Sequence, residues 1–246
     1  MTDFDPPSVD PPSVARHGFD PHSRSRLTLR DLPRFAGTTL FDRVARVVCR
    51  AECLPRKELF ESWEVARRTR RRFRGGRVVD LACGHALLAS LLLLLDDTSP
   101  TALAIDVRLP ESAARLATEL EREWPRLVGR VTRLESAIAD VAVDSDDLLV
   151  SAHACGALTD QVLGKAIDVS ARVVVLPCCQ DTAEGDLGGV GGWLDAALAI
   201  DVTRAARLRV SGYVVYTQRI PESITPKNRL LLAEPAVRAN ASAERR

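Results

Sequence analysis

From Gly75-Gly76 onward the chain alternates short β-rich runs with helical stretches, and that alternation restricts the fold more than any other feature. Five runs read as strands: Arg77–Ala82, Thr101–Asp106, Gly129–Leu134, Asp147–Ala152 and Ala171–Leu176. Helical patterns over Gly84–Leu95, Glu111–Trp124, Leu158–Asp168 and Trp193–Leu208 separate or follow them. Strands spaced by helices of about 10–15 residues form βαβ units, whose right-handed crossovers build a parallel sheet. Two closing strands, Gly212–Ile220 and Leu230–Ala233, have no long helix between them and predict an antiparallel edge. The expected fold is α/β, a doubly wound, mostly parallel seven-stranded sheet occupying residues 76–235, with 236–246 as a flexible tail.

The first 75 residues read differently. Residues 1–30 carry Pro6-Pro7 and Pro11-Pro12 among Ser, Asp and Arg, and are expected to be a disordered tail. Residues 31–75 form a helical arm, with Phe41, Val44, Ala45, Val48, Leu59, Trp63 and Ala66 at helical spacing and Pro55 dividing two helices. Residues 56–77 hold nine Lys/Arg against three Glu, a local balance of +6 in a chain whose net charge is +1. Arg67, Arg68, Arg70, Arg71, Arg72 and Arg74 therefore read either as a solvated helix face or as a phosphate-contacting patch beside the site. The most apolar run, Ala86–Leu95, is too short to span a bilayer and reads as a buried helix, so no membrane partner is expected. No apolar leader precedes the arm, and six cysteines without one are expected to be free thiols in the cytoplasm.

Strand one ends in Asp80 and leads through Ala82, Cys83, Gly84 and His85 into a helix. Ligands of such sheets sit beyond the carboxyl ends of the strands, near the point where strand order reverses. A pyrophosphate loop needs G-x-G-x-x-G, whereas this loop has one glycine and an acid that repels phosphate. An acidic, glycine-poor loop suits a sulfonium and an ammonium, which points to S-adenosylmethionine. Asp106, ending strand two, is placed to accept ribose hydroxyls, with Val107 beside it.

At these residues the chain resembles the class I, Rossmann-like methyltransferases, whose first motif is D-x-G-x-G-x-G. Asp80-Leu81-Ala82-Cys83-Gly84-His85-Ala86 keeps the acid and the central glycine, and has Ala82 and Ala86 at the flanking glycine positions. Glu135 and Ser136 match the family's position beside the adenine, and Ser151 ends strand four on the same rim. Two further segments, His153-Ala154-Cys155-Gly156 with Thr159-Asp160, and Pro177-Cys178-Cys179, resemble a narrower branch. That branch holds the eukaryotic acceptor-stem tRNA ribose methyltransferase and the methyltransferase domain of the glutathione S-transferase C-terminal domain-containing protein. The resemblance spans residues 76–233 and implies methyl transfer to RNA, with tRNA the expected partner. A small-molecule acceptor, and a non-catalytic module that binds S-adenosylmethionine, stand beside it.

His153 reads as a general base, since imidazole titrates near neutrality, or as a histidine bonded to a strand end. Asp160 reads as the group that orients His153 or as a helix cap. Cys155 and Cys178 stand as further candidates for the catalytic rim, with pocket lining as the plainer reading. Zinc is not expected, because adjacent cysteines and an H-x-C spacing match no C-x2-C knuckle. Lys227 and Asn228 read as an edge loop near the rim or as a turn set by Pro226. The absence of N/D-P-P-Y/W/F after strand four argues against the branch that methylates planar amines.

Overall fold

In the computed structural model, residues 20–243 other than Cys178 are described. Seven strands form one sheet: β1 (Val78–Leu81), β2 (Ala102–Asp106), β3 (Val131–Glu135), β4 (Leu148–Ser151), β5 (Arg172–Val175), β6 (Tyr213–Arg219) and β7 (Arg229–Pro235). Their order is β3-β2-β1-β4-β5-β7-β6. Val78 pairs in parallel with Ala102 on one side and Leu148 on the other, which puts the reversal of strand order between β1 and β4. β7 inserts between β5 and β6 and runs antiparallel to both. The mostly parallel sheet with an antiparallel edge is thus as expected from the alternation.

Burial on both faces explains the near-continuous apolar strands. Side chains alternate between two cores: Val78, Leu148, Val150 and Val174 enter one, and Val79, Leu149, Val173 and Val175 the other. Helices α3 (Leu87–Leu95) and α4 (Ala113–Glu123) cover the first face; α5 (Ala157–Val169) and α6 (Ala196–Val210) belong with the second. The helical arm supplies an outer layer, with α1 (Leu40–Ala51) packed on α4 and α2 (Arg56–Arg72) on α3. This layer is why α3 can be apolar all round: Leu87, Leu88 and Leu91–Leu94 are all buried between α2 and the sheet. Among the described residues, no helix is long and apolar enough to cross a membrane. Arg43 and Arg50 tie α1 to Glu123 and Glu119 of α4 at 2.7–3.0 Å.

Ordered contacts are described inside both segments expected to be tails. Residues 1–19 lie outside the described part, but Leu27 is fully buried and its N–H donates to the Leu54 carbonyl at 2.9 Å. Arg26 forms an isolated bridge with Pro55, and residues Leu29–Phe35 make a 3-10 helix against α1. At the other end, Ala236–Ala243 forms helix α7, started by the Ala236 N–H on the Gly212 carbonyl at 2.9 Å. One buried leucine and one sheet-edge contact suffice to anchor segments that have no periodic signal of their own.

Candidate active site

β1 ends on Asp80, a buried carboxylate that accepts the Ala89 N–H at 3.1 Å in the first turn of α3. Burial pushes its pKa up to about 7; the Ala89 N–H pulls the other way and Asp106 adds to the rise. An ionised Asp80 is therefore stabilised by any cation brought into the pocket.

The following loop has left-handed backbone at alternate positions: Ala82 at φ 57°, Gly84 at φ 51° and Ala86 at φ 59°. These are the three glycine positions of D-x-G-x-G-x-G, so the loop keeps a glycine-rich path with alanine at two of its turns. Left-handed backbone costs an L-residue about 1–2 kcal/mol, against roughly 0.5–1 kcal/mol for glycine's extra unfolded freedom. Ala82→Gly is accordingly expected to raise stability by about 0.5–1 kcal/mol, read from urea unfolding midpoints. A loss of similar size would mean that Ala82 is not left-handed.

A Cβ on Gly84 would meet no atom within 4 Å, so the space before this residue is open to a ligand. The Gly84 N–H donates to the Asp106 carboxylate at 2.9 Å, which locks the loop to the end of β2. Beside it, Ser136 N–H donates to the Asp106 carbonyl and the Glu135 carboxylate accepts the Leu109 N–H, both at 2.9 Å. Val107 is 72% exposed on the same rim. An open cleft of about 740 Å³ follows along residues 108–112 and Arg115. His85 touches its edge through Ser112, with Nε2 2.8 Å from the hydroxyl.

A narrower pocket brings Asp80, Cys83, Gly84 and His85 together with His153 from the β4 end. Burial, then Lys57, holds the His153 pKa down at about 4, with His85 adding to the drop and Asp106 opposing it. The ring is thus neutral throughout the physiological range. The Cys83 thiol is pushed up by burial and by Asp80 and Asp106, which removes any thiolate role at neutral pH. α2 closes the pocket with Glu58 and Ser62, two residues absent from the expected site. Sequence reading counted Glu58 only as a counter-charge to the arginines. The signal that singles it out is its place in the first turn of a helix lying over the cofactor loop.

Three expectations shift. Asp160 neither orients His153 nor caps α5: it forms a two-point pair with the buried Arg204 of α6, at 3.0 and 2.7 Å. Arg204 also binds the Gly156 carbonyl at 2.9 Å, so the pair fixes the turn after His153-Ala154-Cys155. Ser151 is fully buried, and its hydroxyl accepts the Ala154 N–H at 3.1 Å. Its side chain therefore shapes the turn that carries His153. Cys155 is exposed, and Cys178 lies outside the described residues.

The arginine patch is the third. Glu58 and Ser62 of α2 border the pocket at the carboxyl rim, Arg68 reaches Gln218 near the end of β6 at 3.2 Å, and Arg70, Arg72 and Arg74 find their partners toward the opposite end of the sheet. Arg70 is 3% exposed and pairs with Asp96, at the far end of α3, at 3.1 Å. Arg67 and Arg68 pair with Glu64, Arg72 pairs with Glu234 and stacks on the Tyr216 ring at 3.6 Å, and Arg74 reaches Asp96. Of the six, Arg71, Arg72 and Arg74 are exposed, and none borders the pocket. A charge count along the helix could not show this, because Asp96 and Glu234 are remote in sequence.

A profile of the methyltransferase-domain family matches residues 58–185, just over half of the chain, and the chain belongs to that family. The family's methyl donor is S-adenosylmethionine. No curated protein matches the chain. Among solved structures it is similar to an O-methyltransferase family protein from Burkholderia thailandensis, at 18% identity and a TM-score of 0.50, covering 87% of this chain and 65% of that one. It is also similar to magnesium protoporphyrin IX methyltransferase from Synechocystis PCC 6803 with bound SAH, at 13% identity and a TM-score of 0.50, covering 82% and 97%. At such identities the likeness is one of fold. The chain spans about 65% of the length of the Burkholderia protein. The matched family region runs from residue 58 to residue 185, so it takes in most of α2 as well as β1 to β5.

Proposed function

We propose that the chain transfers a methyl group from S-adenosylmethionine to a nucleophile brought to His153, and that the acceptor is RNA. The observation that carries the reaction is the single pocket shared by Asp80, Gly84 and His153. The residues fit the cofactor: Gly84 leaves open space, Asp106 adjoins it at the end of β2, and Asp80 offers a carboxylate to an ammonium. Val107, Glu135 and Ser136 continue that surface toward an adenine. When bound, S-adenosylmethionine supplies an electrophilic methyl group.

His153 supplies the base. Neutral at pH 7, it takes a proton from the acceptor hydroxyl or amine, raising its nucleophilicity. Positioning of the acceptor against an already activated methyl can supply much of the rate. Asp160, through Arg204, and Ser151 hold the turn that carries His153.

The RNA reading rests on resemblance to the tRNA-modifying branch through His153-Ala154-Cys155-Gly156 and Pro177-Cys178-Cys179. Arg26, Arg108 and Arg115 are exposed near His85 and give the rim a positive face, a place for phosphates beside the pocket. A small-molecule acceptor is the second reading, favoured by α2 lying over the pocket. Incubating the protein with methyl-labelled S-adenosylmethionine and either total RNA or a metabolite extract separates them. Label in tRNA is expected; label confined to metabolites rejects the RNA acceptor, and label in neither rejects turnover on both.

A further inference from the structure

Three glutamates follow one another at helical spacing on α2: Glu58, Glu61 and Glu64. Two have cationic partners. Lys57 lies 3.3 Å from Glu61, and Arg67 and Arg68 lie 3.5 and 3.2 Å from Glu64. Glu58 has no ion pair or hydrogen bond among the described residues, and it is the one whose side chain lines the cofactor pocket. Burial raises its pKa, Glu61 raises it further and Lys57 opposes them, so an ionised Glu58 is held there at a cost.

The rest of the pocket wall gives that carboxylate nothing to pair with. His85 is pushed toward its neutral form by burial and by Arg26 and Arg115, and His153 is neutral for the reasons above. Cys83 remains a thiol, and the other lining groups are uncharged. Asp80 is the second acid of the wall, but it sits deeper, bonded to the Ala89 N–H at the start of α3. The charged lining of the pocket is therefore purely acidic, and Glu58 is its uncommitted member.

Resting on the S-adenosylmethionine reading, we infer that Glu58 is a specificity-determining residue that lets the pocket tell the cationic methyl donor from its neutral thioether product. Donor and product differ by one methyl group and by one positive charge on sulfur. A wall of apolar groups senses only the methyl, whereas a carboxylate in a partly dehydrated pocket senses the charge. The consequence is product release: once the sulfonium has lost its methyl, the attraction to Glu58 is gone.

Calorimetric titration tests this without turnover, using three ligands: S-adenosylmethionine, S-adenosylhomocysteine, and the analogue with a protonated amine in place of the methylated sulfonium. In Glu58→Gln the donor and the amine analogue are expected to bind about 10-fold more weakly, and the thioether to change by less than about 2-fold. Glu58→Asp is expected to retain much of the difference. Equal weakening of all three ligands, or no weakening, overturns the inference and leaves the cofactor reading intact. In the unaltered chain, the amine analogue is expected to bind about 10-fold tighter than the thioether, so equal binding overturns the inference even if Glu58→Gln fails to fold. Absence of binding of any of the three to the unaltered chain rejects the cofactor reading itself, and the role of Glu58 with it.

Discussion

In His153→Ala, methyl transfer is expected to slow by about 10²–10⁴-fold while S-adenosylmethionine affinity stays within about 2-fold. The ring lies at the β4 end of the pocket, across from the loop that carries Gly84, and Ser151 and the Asp160–Arg204 pair hold its turn without needing the imidazole. Its loss should therefore remove proton acceptance and leave the cofactor wall in place. The depressed pKa of about 4 adds a pH signature. An imidazole with an ordinary pKa would lose its base form as pH falls through about 6.5. His153 should keep it well below that, so kcat should show no acid limb near pH 6.5. A limb there that disappears in His153→Gln would place His153 in solvent, and a parallel loss of cofactor affinity would move it from proton transfer to pocket structure.

Arg70→Met is expected to destabilise the fold by about 3–5 kcal/mol, the range for breaking a buried charge pair by removing one partner. Arg70 is 3% exposed and makes four contacts at once: the Asp96 carboxylate at 3.1 Å, the Ser99 hydroxyl at 2.8 Å, the Leu92 carbonyl at 3.0 Å and the Phe73 carbonyl at 3.4 Å. Methionine fills much of the volume but leaves Asp96, itself 3% exposed, without this guanidinium. Asp96 keeps the Gly75 N–H at 2.8 Å and the Thr98 hydroxyl at 2.7 Å, so unfolding of the isolated carboxylate site is not complete. Adding Asp96→Asn to Arg70→Met should restore part of the loss, because it removes the stranded charge. Chemical denaturation of the single and double variants measures both effects. A loss below about 1 kcal/mol would mean that Arg70 is solvated, as a surface ion pair is.

Arg70 also marks the limit of what the sequence carries. Local signals were sufficient for the sheet, because buried parallel strands and intervening helices each leave a run of their own in the chain. They were sufficient for Asp80, Gly84 and Asp106, whose places follow from being at strand ends. They failed for Asp160, Arg70 and Arg72, whose partners Arg204, Asp96 and Glu234 are far away in sequence. Helical periodicity tells which face of α2 is buried, but not which end reaches the rim. That is decided by β1 starting soon after the helix ends and running back alongside it. Glu58 was hidden for the same reason: only the reversal of the chain places the first turn of α2 over the loop that carries Gly84. Leu27 and α7 were missed because a single anchoring contact has no period.

The most direct test maps the cofactor onto the backbone. Amide spectra of the chain recorded during titration with S-adenosylmethionine should show saturable shifts at Cys83, Gly84 and His85 and at Asp106 and Val107. Gly84 should move strongly, since its N–H is bound to the Asp106 carboxylate and faces the open space. The amides of Arg70, Arg71 and Arg72, at the end of α2 away from the pocket, should stay still. Saturable shifts that spare the 82–86 loop and the end of β2, or no saturable shift at all, would contradict the placement of the methyl donor at this rim.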